Sequence, residues 1–145
     1  MHLYATQQPD LNWNNAEARK GIYDSAMKFW LDRGIDGFRV DTVNKYSKPL
    51  EFKDVLVTDP DHYEQPSAHI YCNGPRIHEF VKEMHDEVIS KYDIMTVGEL
   101  SLTPNPKHVL DYVGAKEKYV IRLPCVVWKD TMHHLINANE IFSDN

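Results

Sequence analysis

A basic excess is missing from this sequence: 16 Lys and Arg stand against 22 Asp and Glu, for a formal net charge of -6 over 145 residues. A surface that binds nucleic-acid phosphates needs basic residues in surplus or in a stripe, so no nucleic-acid partner is expected. Also absent is any run of about 18 apolar residues, so no membrane-spanning helix is expected. Met1-His2-Leu3-Tyr4 lacks the basic-then-apolar order of a secretory leader. Cysteine is scarce. Cys72 and Cys125 make neither a disulfide framework nor a zinc site, and thiols of a reducing compartment are the default reading. No repeat and no low-complexity tract occurs. With 42% hydrophobic and 26% charged residues, the composition is that of a globular chain rather than a disordered one.

Along the chain, Gln8-Pro9-Asp10 breaks regular structure. Asn14 followed by Glu17 fits a helix N-cap with a carboxylate in the first turn. Ile22, Ala26, Phe29, Trp30 and Arg33 follow helical spacing, and Gly34 is placed to end the helix in a left-handed conformation. Ile35 to Asp41 reads as a strand. Residues 42 to 72 are irregular, with Pro49, Pro60 and Pro66, and a loop of that length in a compact domain is commonly functional. Asn73-Gly74-Pro75 opens a second helix, whose Ile77, Phe80, Val81, Met84 and Val88 form one apolar stripe. Asp93 to Glu99 is a second strand. Residues 107 to 115 fit a short helix and Tyr119 to Leu123 a strand, whereas 129 to 145 show no clear core face. Helices alternating with strands argue for a parallel sheet covered by helices.

Each of the two strands ends in a carboxylate. Side chains alternate faces along a strand, so Gly37, Arg39 and Asp41 share one face, and Met95, Val97 and Glu99 share another. Adjacent strands lie about 4.8 Å apart. If these two are neighbours, Asp41 and Glu99 stand near the separation of about 5–5.5 Å that a retaining glycosidase uses. Arg39, on the face of Asp41, favours the ionised carboxylate that a nucleophile requires. Glu99 has no basic neighbour in its own strand, and a second carboxylate nearby suits it to the acid/base role.

Gly37-Phe38-Arg39-Val40-Asp41 resembles the nucleophile motif of glycoside hydrolase family 13, the α-amylase family, and Val97-Gly98-Glu99-Leu100 resembles its acid/base motif. Gln8-Pro9-Asp10-Leu11-Asn12-Trp13 and Asn73 to Phe80 are similar to segments of its α-glucosidases and oligo-1,6-glucosidases, including the fungal maltases. The resemblance implies a (β/α)8 TIM barrel. It makes Asp41 the nucleophile, Glu99 the acid/base and Arg39 part of the subsite for the terminal glucose. Thr42 falls at a position associated with linkage preference, threonine being the maltase type. A small α-glucoside is the implied substrate, with no cofactor and no partner protein. Calcium-binding members hold the ion in an acidic loop that would lie upstream of this chain. Asp10 and Asn12 are expected to tie their loop together. The eight histidines form no zinc motif, since His78-Glu79-Phe80-Val81 is followed by Lys82, and all are expected to be solvated.

A whole barrel of this type runs to about 250 residues. The expectation is therefore a central barrel fragment, from about the third helix to the fifth strand, over residues 1–117. An irregular tail over residues 118–145 departs from the family pattern. The family's third essential aspartate and an earlier Asn-His motif do not occur here. Family order places one of them after Asn145 and the other before Met1, so an internal start and a truncated gene are expected, as is inactivity of the chain alone. The rival readings are a family-13-like interaction subunit without catalysis and a pseudogene product. Retention of Arg39, Asp41 and Glu99 together favours an enzyme, and resemblance to intracellular maltases joins the thiol argument for a cytoplasmic location.

Overall fold

A computed structural model describes residues 2–51, 53–103, 105–113, 125–128 and 134–137. The chain divides into two compact units, Met1–Ile35 and Asp36–Asn145.

In the first unit, Asn12 ties the loop as expected: its Oδ1 accepts from Asn14 N at 3.1 Å and its carbonyl from Asn15 N at 3.0 Å. The N-cap of α1 (Ala16–Ile22) is Asn15, one residue later than the sequence pattern indicates. Its Oδ1 accepts from Glu17 N and Ala18 N, which meets two of the helix's orphan donors. The helix continues through a π-helical stretch (Tyr23–Lys28) into α2 (Phe29–Leu31). Gly34 ends it at φ +89°, the left-handed stop expected of a C-terminal glycine.

The buried face of this long helix is Arg19, Tyr23, Met27 and Leu31, not the stripe expected from helical spacing. Each buried residue follows the last by four, a spacing that the wider π-turn keeps on one side. Ala26, Phe29, Trp30 and Arg33 are exposed. Phe29, Trp30 and Arg33 pack on one another instead. The Phe29 and Trp30 rings meet edge-on at 5.1 Å, and the Arg33 guanidinium lies 3.5 Å over the Phe29 ring.

The second unit is built on a sheet in the order β1 (Gly37–Val40), β2 (Met95–Leu100), β3 (Cys125–Trp128), β4 (His134–Asn137). The first three strands run parallel and β4 is antiparallel to β3. The parallel pair β1 and β2 registers Gly37 with Met95, Arg39 with Val97 and Val40 with Gly98. Gly37 makes that approach possible: at φ +150°, an added Cβ would sit 1.7 Å from the Met95 carbonyl oxygen. The expected strand over Tyr119 to Leu123 lies outside the described residues. His134 to Asn137 form a strand within a stretch whose sequence shows no clear core face.

After β1 come a single 3-10 turn (Val43–Lys45), an irregular stretch and the short α3 (Ala68–Tyr71). The helix α4 (Ile77–Glu87) buries the expected stripe: Ile77, Phe80, Val81, Met84 and the following Val88 are all within 3% of complete burial. Five apolar side chains of this size supply about 1.5–3 kcal/mol each of transfer free energy, an upper bound against a compact unfolded chain. A further helix, α5 (Pro106–Val113), adds Val109 and Tyr112 to the buried set. Among the described residues no helix is long and apolar enough to cross a membrane.

Candidate active site

Asp41 follows the last residue of β1 and Glu99 lies near the end of β2, so the parallel register brings both carboxylates to the same end of adjacent strands. Arg39 joins them. Its Nη2 lies 3.1 Å from Asp41 Oδ1 and donates to Glu99 Oε2 in a closer ion pair. Two oxygens held by one nitrogen lie within about two hydrogen-bond lengths, roughly 6 Å, of each other.

This arrangement corrects one step of the sequence reading. Arg39 is not the partner of Asp41 alone. The register sets Arg39 opposite Val97, within reach of Glu99 on the same face, so the guanidinium does not distinguish the two carboxylates. Access distinguishes them instead: the side chain of Asp41 is 68% exposed and that of Glu99 only 6%. Asp41 is thus open to solvent, while Glu99 is enclosed beside it.

Thr42, next to Asp41, turns the chain out of the strand with a left-handed backbone, φ 39° and ψ 45°. A β-branched residue rarely adopts this conformation, and holding it costs about 1–3 kcal/mol that the surroundings must offset. Tyr46 contributes from the same turn, donating its hydroxyl to the Asp41 carbonyl at 3.1 Å. Burial, with the nearby Asp41 charge, pushes the Tyr46 hydroxyl up to about 12, so it remains a donor throughout the ordinary pH range.

A buried polar cluster behind the strand ends has no counterpart in the sequence reading. Asn44, completely buried, donates through Nδ2 to the Ser101 carbonyl at 2.7 Å and to Thr103 Oγ1 at 2.9 Å. Asn73 donates to Thr103 Oγ1 at 3.2 Å and accepts from the Tyr112 hydroxyl at 2.9 Å. These partners are far apart in sequence and follow no period, so no pattern in the chain announces them.

His78 is exposed, as expected, with its ring beside that of Tyr112, centroids 4.7 Å apart. Loss of water there holds its pKa below the usual histidine value, against an opposing pull from Asp111. Among the described residues, no three His, Cys, Asp or Glu side chains gather as a metal site.

Adjacent parallel strands thus present two carboxylates and a shared arginine at their C-terminal ends, the end at which (β/α)8 barrels carry their active-site residues. The catalytic-domain model of the α-amylase family matches residues 1–122. This chain belongs to that family, and its fold is part of a (β/α)8 barrel. It is 54% identical over 118 residues to the α-glucosidase of Candida albicans, a match that covers 81% of this chain and 20% of that protein. The oligo-1,6-glucosidase of Parageobacillus thermoglucosidasius is 52% identical over 99 residues, covering 68% of this chain and 17% of the relative. In structure, the trehalose-6-phosphate hydrolase of Bacillus licheniformis superposes with a TM-score of 0.66 at 43% identity, covering 78% of this chain and 19% of that one. The chain thus spans about a fifth of the length of these relatives.

Proposed function

We propose that the chain is the central part of a retaining α-glucosidase of the maltase type, which releases glucose from the non-reducing end of maltose and related α-glucosides. The observation that carries this reading is the Arg39 guanidinium shared between Asp41 and Glu99 at the ends of neighbouring parallel strands. Kinship with proteins named α-glucosidase and oligo-1,6-glucosidase supports it.

In the proposed mechanism, a carboxylate oxygen of Asp41 attacks the anomeric carbon of the terminal glucose. The bond from that carbon to the leaving oxygen breaks, and Glu99 gives its proton to the departing alcohol. Glu99, now a carboxylate, takes a proton from water as the water oxygen attacks the same carbon, and Asp41 is released. Arg39 orients both carboxylates and forms part of the subsite for the terminal sugar. Thr42 borders that subsite and inclines the enzyme toward α-1,4 bonds. No step is routed through a metal or cofactor. In this reading residues 1–117 supply barrel and residues 118–145 a tail that departs from the family pattern. The scarce cysteines, read as thiols of a reducing compartment, support a cytoplasmic enzyme.

The test is turnover of a nitrophenyl α-glucoside by the full-length protein. Asp41→Asn and Glu99→Gln are each expected to remove nearly all activity. Full activity in either variant would overturn the reading.

A further inference from the structure

We propose that Asn44 is a positioning residue, a buried amide that staples the turn after Asp41 to the segment after Glu99 and so holds the two carboxylates at their working separation. The inference rests on the glycosidase reading of that pair.

Asn44 is fully buried, and both of its side-chain donor bonds cross to the segment that follows the Glu99 strand. The orientation of the amide is decided by chemistry. The Ser101 carbonyl can only accept, so the nitrogen must face it. The same residue is held from behind, where its carbonyl accepts from Asn73 N at 2.8 Å. Asn73 in turn bonds Thr103 and Tyr112, which closes a ring of polar contacts around the staple.

The turn is also clamped against the start of α4. Ser47 Oγ accepts from Arg76 N at 2.9 Å, and Gly74 lies so close that an added Cβ would come within 2.0 Å of the Ser47 carbonyl oxygen. Thr42 needs such support. A left-handed β-branched residue beside the nucleophile persists only where its surroundings determine it several times over. Asp41 itself is exposed and receives little packing of its own. Its position relative to Glu99 is therefore set by strand register and the shared Arg39 on one side and by Asn44 on the other.

The experiment uses the full-length protein and compares Asn44→Ala, Thr103→Val and, as a control in the α4 stripe, Met84→Ala. The staple predicts that Asn44→Ala lowers kcat about 10- to 100-fold with KM within about twofold, because displacement of about 1 Å at a reacting pair costs that much. Met84→Ala, at a comparable loss of Tm, keeps kcat within about twofold of wild type. Thr103→Val removes one acceptor and falls between; it carries the kinetic test if Asn44→Ala does not fold. A kcat loss in Asn44→Ala or its substitute no greater than that of the control would overturn the proposal. Crystal structures of wild type and whichever of the two staple variants folds give a readout independent of turnover. The expected result is displacement of the Glu99 carboxylate relative to Asp41, and superposable carboxylates would refute the staple. A wild-type protein without turnover would refute the glycosidase reading alone, since the displacement still decides the staple.

Discussion

Arg39 and Glu99 lie 60 residues apart in sequence, yet Arg39 Nη2 donates directly to Glu99 Oε2 across neighbouring parallel strands, and the same nitrogen reaches Asp41. One planar cation thus serves both carboxylates. Arg39→Lys replaces a fork of five donors with a compact ammonium on a flexible stem. In the full-length protein kcat/KM is expected to fall by about 100-fold, with Arg39→Gln at least as severe. Steady-state kinetics checks this, and near-wild-type activity in Arg39→Lys would show that a point charge suffices.

Two glycines are expected to respond oppositely to alanine. At Gly37 the new Cβ would collide with the backbone of Met95, so Gly37→Ala is expected to destabilise by about 1–3 kcal/mol or more through disrupted β1–β2 pairing. Gly21, in α1, has nothing within 4 Å of an added Cβ, and Gly21→Ala is expected to stabilise by about 0.4–1 kcal/mol. Denaturant midpoints of the two variants, measured side by side in the full-length protein, provide the comparison.

Stability is expected to decline at both ends of the pH range. Tyr46 and Tyr112 are both held protonated in the fold, chiefly by burial. A raised folded pKa gives stability that is present below the unfolded value near 10 and lost as pH climbs, for Tyr46 over the interval up to about 12. His78 has the opposite sign. Its depressed pKa gives stability present above the unfolded value near 6.5 and lost as pH falls. Thermal denaturation across pH, repeated with Tyr46→Phe and His78→Gln, should show a shallower decline above pH 10 in the first and below pH 6.5 in the second.

The 145-residue chain expressed by itself is expected to turn over no α-glucoside, because it spans only about a fifth of the length of its relatives and, on the proposed reading, holds only part of the site. A nitrophenyl α-glucoside assay checks this. Turnover that disappears in Asp41→Asn would show a complete site within the chain.

What could be read in advance divides along a physical line. The α4 stripe from Ile77 to Val88 was legible because burial repeats at three and four residues on an α-helix. The placement of Asp41 and Glu99 at the ends of neighbouring strands is legible because alternation along short apolar strands marks those ends. The helix after Asn15 buries a different face from the one its sequence spacing predicts, since its π-helical stretch alters the angular spacing on which the pattern depends. The double role of Arg39 depends on strand register, and the Asn44 staple on contacts between loops. Neither property is periodic, so neither can be read along the chain.

The central claim is that Asp41 and Glu99 form a double-displacement pair, and the most direct measurement is the anomeric form of the first glucose released. Proton NMR of early hydrolysis of a nitrophenyl α-glucoside by the full-length protein should show α-glucose first, with the β-anomer growing only as mutarotation proceeds. Initial release of β-glucose would contradict the account, because it requires a single displacement by water.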